Sequence, residues 1–236
     1  MTILFIVPVW GRPEILKSCI KGVKNVQDKV KHITIKALYI VSPTDKMFNA
    51  NKEILYQSKY IIHENFPLGK KMNAGIKYAL KNIEFDYMCN LGSDDIINPV
   101  LFRIYEPFIA KKCLFFGFNN IYIFDIIDNK LYFFCYTGTY QPNGAGRMIH
   151  KSILKKLKGS VYVDEDNRSL DACSAIRIKE KLNVDPVIID LLDFPATLTL
   201  KSRENLNPTY RIGYLHLKIV SEEKKKKIFK TFNYEK

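Results

Sequence analysis

The chain has 236 residues, 47% of them hydrophobic, enough to bury the core of one large domain or two small ones. Its 37 Lys and Arg against 24 Asp and Glu leave a formal net charge of +13, which favours an anionic partner such as nucleic acid, a phosphorylated donor or an acidic membrane surface, although a Lys-, Ile- and Asn-rich composition from an AT-rich genome would give the same surplus. No apolar run reaches the roughly 18–20 residues of a membrane-spanning helix, and five scattered cysteines with no CxxC pair argue against zinc and for reduced, mostly buried thiols in the cytoplasm.

Thr2–Val9 (TILFIVPV) is β-rich, with Pro8 at a tolerated terminal position. With no basic stretch before it, it reads as a first strand and not as a signal peptide. Trp10-Gly11-Arg12-Pro13 turns the chain, and Pro13 suits a first helical turn. Ile15, Leu16, Cys19, Ile20, Val23 and Val26 recur at helical spacing, predicting a helix from Glu14 to about Val30. Ile33–Val41 is a second strand closed by Ser42-Pro43-Thr44-Asp45, Asn49–Gln57 a short helix, and Lys59–His63 a third strand. Pro67 and Gly69 form a loop before a helix over Lys70–Lys81.

The stretch Phe85–Ile97 (FDYMCNLGSDDII) is central. Its apolar run reads as a buried strand ending in Gly92-Ser93, followed at once by Asp94 and Asp95. Carboxylates at the C-terminal tip of such a strand stand where open α/β sheets bind ligands. Two adjacent carboxylates repel each other and ask for a cation such as Mg²⁺ or Mn²⁺ shared with substrate phosphates. A solvated Asp-Asp turn, or an N-cap before Ile96, is the plainer alternative.

Pro99–Ile109 is predicted as a helix, Lys112–Asn119 as a Phe-rich strand, and Ile121–Tyr136 as a hairpin turning at Asp128-Asn129-Lys130. Strands and helices thus alternate up to the hairpin, which argues for an α/β domain with a largely parallel sheet. Thr137–Arg147 (TGTYQPNGAGR) is a Gly- and Pro-rich candidate functional loop, and Met148–Leu157 a short helix. Asp164–Asp171 (DEDNRSLD) is an acidic loop leading into a helix at Leu170–Lys181, and Val187–Leu191 a late strand. Leu198–Leu206 carries Lys201, Ser202, Arg203 and Asn205. Ser221–Lys236, with its KKKK run, is expected as an exposed helix or disordered basic tail.

Taken in order, Pro8-Val9-Trp10 with Arg12 and Pro13, the Leu68–Gly75 loop-helix, Gly92-Ser93-Asp94-Asp95, Gly144–Arg147, and an acidic loop ending in Leu170-Asp171 resemble the GT-A glycosyltransferases. The likeness is to the family-2-like inverting group, including phage-encoded versions, and spans residues 2–205. It implies a Rossmann-like α/β/α sandwich with a mixed, mostly parallel sheet. One domain over 1–220 would divide into a nucleotide-sugar half (1–98) and an acceptor half (99–220). The activity implied is metal-dependent transfer from a nucleotide-sugar, with a UDP-sugar as the expected donor.

On this resemblance Pro8, Val9 and Arg12 line the nucleotide pocket, Ser42 and Asp45 stand near the base or ribose, and Lys70 or Lys71 with Asn73 and Ser93 reach the base or diphosphate. The lysines could equally form a solvated helix face. The family's Asp-x-Asp falls on Gly92-Ser93-Asp94, so its first carboxylate is missing. Asp94 then holds the Mn²⁺ or Mg²⁺, Asp95 assists, and His216 is a candidate completing ligand, although a lone His between leucines is commonly an ordinary histidine. The general base would be Asp171, with Asp166 and Glu165 behind it, unless these form a solvated turn and a helix start. Gly144, Ala145 and Gly146 would allow close approach of sugar or acceptor, and Arg147 would pair with a carboxylate or phosphate.

The acceptor expected from the charge is DNA, for example with hydroxymethylated pyrimidines, in the cytoplasm of a phage host. A glycan or lipid-linked saccharide is the alternative. A non-catalytic nucleic-acid-binding protein, stacking bases on Tyr132, Phe133 and Tyr140, is the competing class.

Overall fold

The computed structural model describes residues 1–135, 141–205 and 217–234. Tyr140 and His216 therefore lie outside the described residues. Among the described residues, β1 (Thr2–Pro8), α1 (Pro13–Lys29), β2 (Thr34–Val41), α2 (Phe48–Ile54), β3 (Tyr60–Ile62), α3 (Leu68–Asn82) and β4 (Tyr87–Asn90) follow the alternating order that the sequence predicts. The chain continues through β5 (Asp95–Ile97), α4 (Leu101–Ala110), β6 (Phe115–Phe118), β7 (Asn120–Asp125), β8 (Lys130–Cys135), β9 (Met148–His150) and α5 (Lys151–Lys156). It ends with α6 (Leu170–Leu182), β10 (Val187–Ile189), β11 (Thr197–Lys201), β12 (Lys218–Ile219) and α7 (Glu222–Phe232).

Seven strands make the central sheet in the order β10-β6-β9-β4-β1-β2-β3. Its pairs are parallel except for β9, which runs antiparallel between β4 and β6. Strand β1, inside the sheet between β4 and β2, shows how both faces are covered. Ile3, Phe5 and Val7 of β1 point to a layer containing Leu16, Cys19, Val23 and Val26 of α1 and Leu101, Phe102 and Tyr105 of α4. Leu4 and Ile6 point the other way, to Met72, Ile76 and Ala79 of α3, Ile153 and Leu154 of α5, and Ile178 of α6. A strand buried on both faces reads as a continuous apolar run, and TILFIVPV is one.

A second sheet, ordered β12-β8-β7-β11-β5, packs Tyr122, Phe124, Leu198 and Leu200 against Ile228 and Phe232 of α7. The stretch 85–97 is thus divided between two sheets. β4 stays in the central sheet, and after the turn at 92–94 the chain leaves it, with β5 pairing antiparallel with β11. The carboxylates at this tip stand at the junction.

Three expectations are corrected. Met148–His150 is a strand and not the start of a helix, because unsatisfied edges of β4 and β6 are available on both sides of it; the helix begins at Lys151, where the His150 ring accepts the Ser152 amide. Such a short run cannot be assigned by periodicity alone. The tail is a docked helix over 222–232. Lys225 of its KKKK run is buried, bonded to the Asn129 carbonyl at 2.9 Å, while Lys224 pairs with Asp193 and Lys227 with Glu223. Tyr132 is buried, and Phe133 packs on Tyr122 with ring centroids 5.1 Å apart, so neither stands out as a base-stacking group. No helix among the described residues is long and apolar enough to cross a membrane.

Candidate active site

A cavity of about 380 Å³ opens at the C-terminal edge of β1 and β4, within the range of small-molecule sites. Pro8, Trp10, Arg12, Asn65, Phe66, Asn90, Ser93 and Asp94 line it together with Gly144, Ala145, Tyr162, Asp171, Lys201 and Asn205. The structure therefore brings together Pro8, Arg12, Ser93, Asp94, Asp95, Gly144, Ala145 and Asp171 from the residues that the resemblance implies.

The Arg12 end is built by backbone geometry. Gly11 and Arg12 both adopt the left-handed region, at φ +61° and +48°, a conformation an arginine takes at a cost of roughly 1–2 kcal/mol. Asp45 holds this turn: its Oδ2 accepts the Gly11 amide at 2.6 Å and the Asn51 side-chain amide at 3.0 Å. Asp45 is thus a buried brace for the turn and not a lining residue. Ser42 is buried as well, bonded to Thr44.

Asp94 Oδ2 is surrounded by donors. Arg12 Nη1 lies at 3.4 Å, Lys201 Nζ at 3.0 Å and Asn205 Nδ2 at 2.6 Å. Burial would raise this carboxyl, but Lys201 and Arg12 more than offset that and hold it well below the ordinary range. Asp95 is pushed the other way, first by burial and then by the Asp94 charge. Its oxygens turn inward, to the Gly92 amide at 2.7 Å and the Thr199 hydroxyl.

This donor set does not fit a divalent ion. Hard cations take several anionic or carbonyl oxygens. Here one carboxylate has its outer oxygen committed to two cations and an amide, and the other is buried, spent on protein donors and driven toward its neutral form. Among the described residues no group of three His, Cys, Asp or Glu could hold a metal.

The Asp171 end is set by α6 and by Arg147. Asp171 lies in the first turn of α6, its carboxylate half-exposed, and packs so tightly on Gly144 that a Cβ there would come within 2.3 Å of Oδ2. Arg147 is fully enclosed. Its Nη1 donates to the Asp171 carbonyl and Ser174 Oγ, both at 2.8 Å, and its Nη2 donates to the Pro142 carbonyl at 2.6 Å, with Asp171 Oδ1 3.6 Å away. Arg147 thus makes the expected pairing with a carboxylate, that of Asp171; it fastens Asp171 and the 142–147 loop, and does not itself line the cavity as a sugar- or acceptor-binding residue would. Gly146 is buried beside it, in the left-handed region.

The residues expected from α3 are also engaged elsewhere. Lys70 is exposed outside the cavity, with its backbone amide given to the Asp164 carbonyl. Lys71 is buried, its Nζ donating to the Val9 carbonyl at 2.7 Å and Asn65 Oδ1 at 2.9 Å, so Val9 and Lys71 form a strut under the rim. Asn73 grips Tyr162 and Asp164 across the molecule. The α3 N-terminus has no side-chain cap of its own. The Asp166 and Asp164 carbonyls and Asn167 Oδ1 take the orphan amides of Gly69, Lys70 and Leu68. A Cβ at Gly69 would fall 1.9 Å from the Val163 carbonyl, so glycine is what allows this junction. Asp166 is turned to the Cys173 thiol outside the cavity, and Glu165 is exposed, so of these three carboxylates Asp171 is the one that lines it.

Lys201, Asn205, Asn90 and Tyr162 were given no role from sequence. A Lys-Ser-Arg cluster directly after the β-rich Leu198–Leu200 marks a strand tip, and Asn90 is a polar residue inside an apolar strand; both patterns were available. Asn90 Nδ2 meets the Tyr162 hydroxyl across the cavity wall.

No family model matches this chain, and no curated protein does. Solved structures match it over most of its length. S. aureus TarS aligns at TM-score 0.58 and 15% identity, covering 86% of this chain and 37% of that one. TarS 1–349 in complex with UDP-GlcNAc aligns at 0.53 and 15%, covering 87% and 60%. The mannosyltransferase PcManGT from Pyrobaculum calidifontis, in complex with GDP-Man and Mn²⁺, aligns at 0.54 and 10%, covering 84% and 56%. The chain thus spans less than two thirds of each of these structures. What they establish is the fold: the chain has the α/β fold of the GT-A glycosyltransferases.

Proposed function

We propose that the chain is a glycosyltransferase that moves a sugar from a nucleotide-sugar, with a UDP-sugar as the first choice, to an acceptor hydroxyl. The observation carrying this is a single cavity at the strand-tip edge of a GT-A fold that holds cations, Arg12 and Lys201, together with a half-exposed carboxylate, Asp171. The donor-bound TarS and PcManGT structures support a nucleotide-sugar as donor.

In this reading Asp171 accepts the proton of the acceptor hydroxyl as its oxygen attacks the anomeric carbon. The bond from the anomeric carbon to the oxygen of the β-phosphate breaks, and its electron pair leaves with the nucleoside diphosphate. In this proposal the transfer is a single displacement with inversion. Gly144 and Ala145 let the reactants approach Asp171, which the enclosed Arg147 keeps in place. The acceptor is a hydroxyl of a saccharide or of modified DNA. The net charge favours DNA, but the KKKK run that contributes to it lies on α7, away from the cavity lining.

The test is to incubate the protein with labelled UDP- and GDP-sugars and, separately, oligosaccharide, lipid-linked saccharide and hydroxymethylated DNA, scoring released nucleoside diphosphate and transferred label. Asp171→Asn is expected to lower kcat by about 10²–10⁴-fold while nucleotide binding is kept. Absence of release and transfer with every donor refutes the activity, and full turnover by Asp171→Asn refutes the base.

A further inference from the structure

We infer that the donor's diphosphate is bound by Lys201 and Arg12 directly, with Asp94 acting as their counter-ion and holder, and not by a divalent ion carried on Asp94. This deepens the proposed transfer and rests on that reading of the cavity.

Three observations carry it. First, Asp94 Oδ2 already accepts from Lys201 at 3.0 Å, Arg12 at 3.4 Å and Asn205 at 2.6 Å, so the face that a metal would need is covered by two positive charges. Second, both cations line the cavity, and among the described residues their side chains make no other hydrogen bond or ion pair than those to Asp94. The guanidinium has five donors and the ammonium three, so both retain donors for phosphate oxygens. Third, the neighbouring carboxyl of Asp95 is turned onto the Gly92 amide and Thr199, so it is spent on protein donors; the other carboxylate lining this end, Glu204, lies beside Gly11. The Asp45 brace fixes the turn that carries Arg12, and the ion pair with Asp94 positions its guanidinium before any ligand arrives. Preset donors at developing negative charge are the electrostatic device by which an ion would otherwise stabilise the leaving diphosphate. As the anomeric C–O bond breaks, its electron pair settles on a phosphate oxygen facing Lys201 and Arg12, while the acceptor proton goes to Asp171.

The experiment is a titration of the full chain with UDP and with GDP, read by fluorescence of Trp10, the chain's single tryptophan and a cavity-lining residue. It is run in excess EDTA and again in Mn²⁺. The expected result is binding in EDTA with a Kd within about threefold of that in Mn²⁺. Lys201→Ala should weaken it about tenfold or more, and Lys201→Arg should recover most of the loss. Binding that is silent in EDTA, switched on by Mn²⁺ and lost in Asp94→Asn overturns the inference while leaving the transferase reading intact. The chelator comparison needs no variant and so does not depend on one folding. If neither nucleotide binds under either condition, the donor-site reading fails and the inference fails with it.

Discussion

Lys71 offers a prediction whose size follows from its surroundings. Its ammonium is fully enclosed, bonded to the Val9 carbonyl and Asn65 Oδ1. Burial pulls its pKa down to about 7, with Asp45 and Glu64 opposing that pull. An unfolded lysine titrates near 10.4. Between these two values the unfolded chain binds more protons than the folded one, so this group makes stability rise with pH. Its charged form opposes folding most below pH 7, and that opposition is gone above about 10.4. At about 1.4 kcal/mol per pH unit, tapering near pH 7 where the folded group is half titrated, the gain from pH 7 to pH 9 is about 2 kcal/mol. Lys71→Met keeps the length of the chain and removes the titration. It also strands two buried acceptors at about 1–3 kcal/mol each. Urea unfolding of the two proteins at pH 7, 8 and 9 checks this. The variant should lose ground against the unmodified protein as pH rises, by about 2 kcal/mol across the window. Groups common to both cancel in the comparison. Parallel stability curves would refute the argument, whatever the absolute difference. Because the strut supports the Val9–Trp10 and Asn65–Phe66 rim, Lys71→Met should also raise KM for the donor more than it lowers kcat.

Two further perturbations address the Asp171 end. Gly144→Ala puts a methyl group where Asp171 Oδ2 now lies, 2.3 Å away, so the carboxylate must move; turnover should fall by about 10²-fold with the circular dichroism spectrum unchanged and nucleotide binding retained. Arg147→Met removes the donors to Pro142, Asp171 and Ser174 and leaves the Pro142 carbonyl without its Arg147 donor, while Ser174 still donates to the Asp171 carbonyl; thermal unfolding should register a loss of about 3 kcal/mol.

The central sheet was legible because its strands are buried on both faces and its helices carry an apolar stripe. TILFIVPV and the Ile15–Val26 spacing need no tertiary information. Met148–His150 was not legible, because three residues become a strand only where β4 and β6 leave a gap for them. The same holds for the tail. Ser221–Lys236 reads as charged, and the Ile228 and Phe232 that dock it are too few to announce a buried face without the sheet they cover.

The site divides along the same line. Residues whose role depends on standing at a strand tip or a helix start, such as Arg12, Asp94 and Asp171, could be placed by order along the chain, because topology fixes where those ends go. Lys70, Lys71, Asn73 and Arg147 could not, because a cation or amide near a site has two possible uses: to meet a ligand or to hold the structure that does. Sequence carries residue type and order; burial decides between the uses. Lys71 and Arg147 are both enclosed by protein acceptors, while Lys201, from a stretch read only as polar, faces the cavity with donors to spare. Where a family pattern lacks an expected carboxylate, as at Gly92, the missing group is therefore best sought as changed chemistry among its spatial neighbours. Those neighbours here include a lysine 109 positions further along the chain, delivered to the Asp94 carboxylate by the antiparallel pairing of β11 with β5.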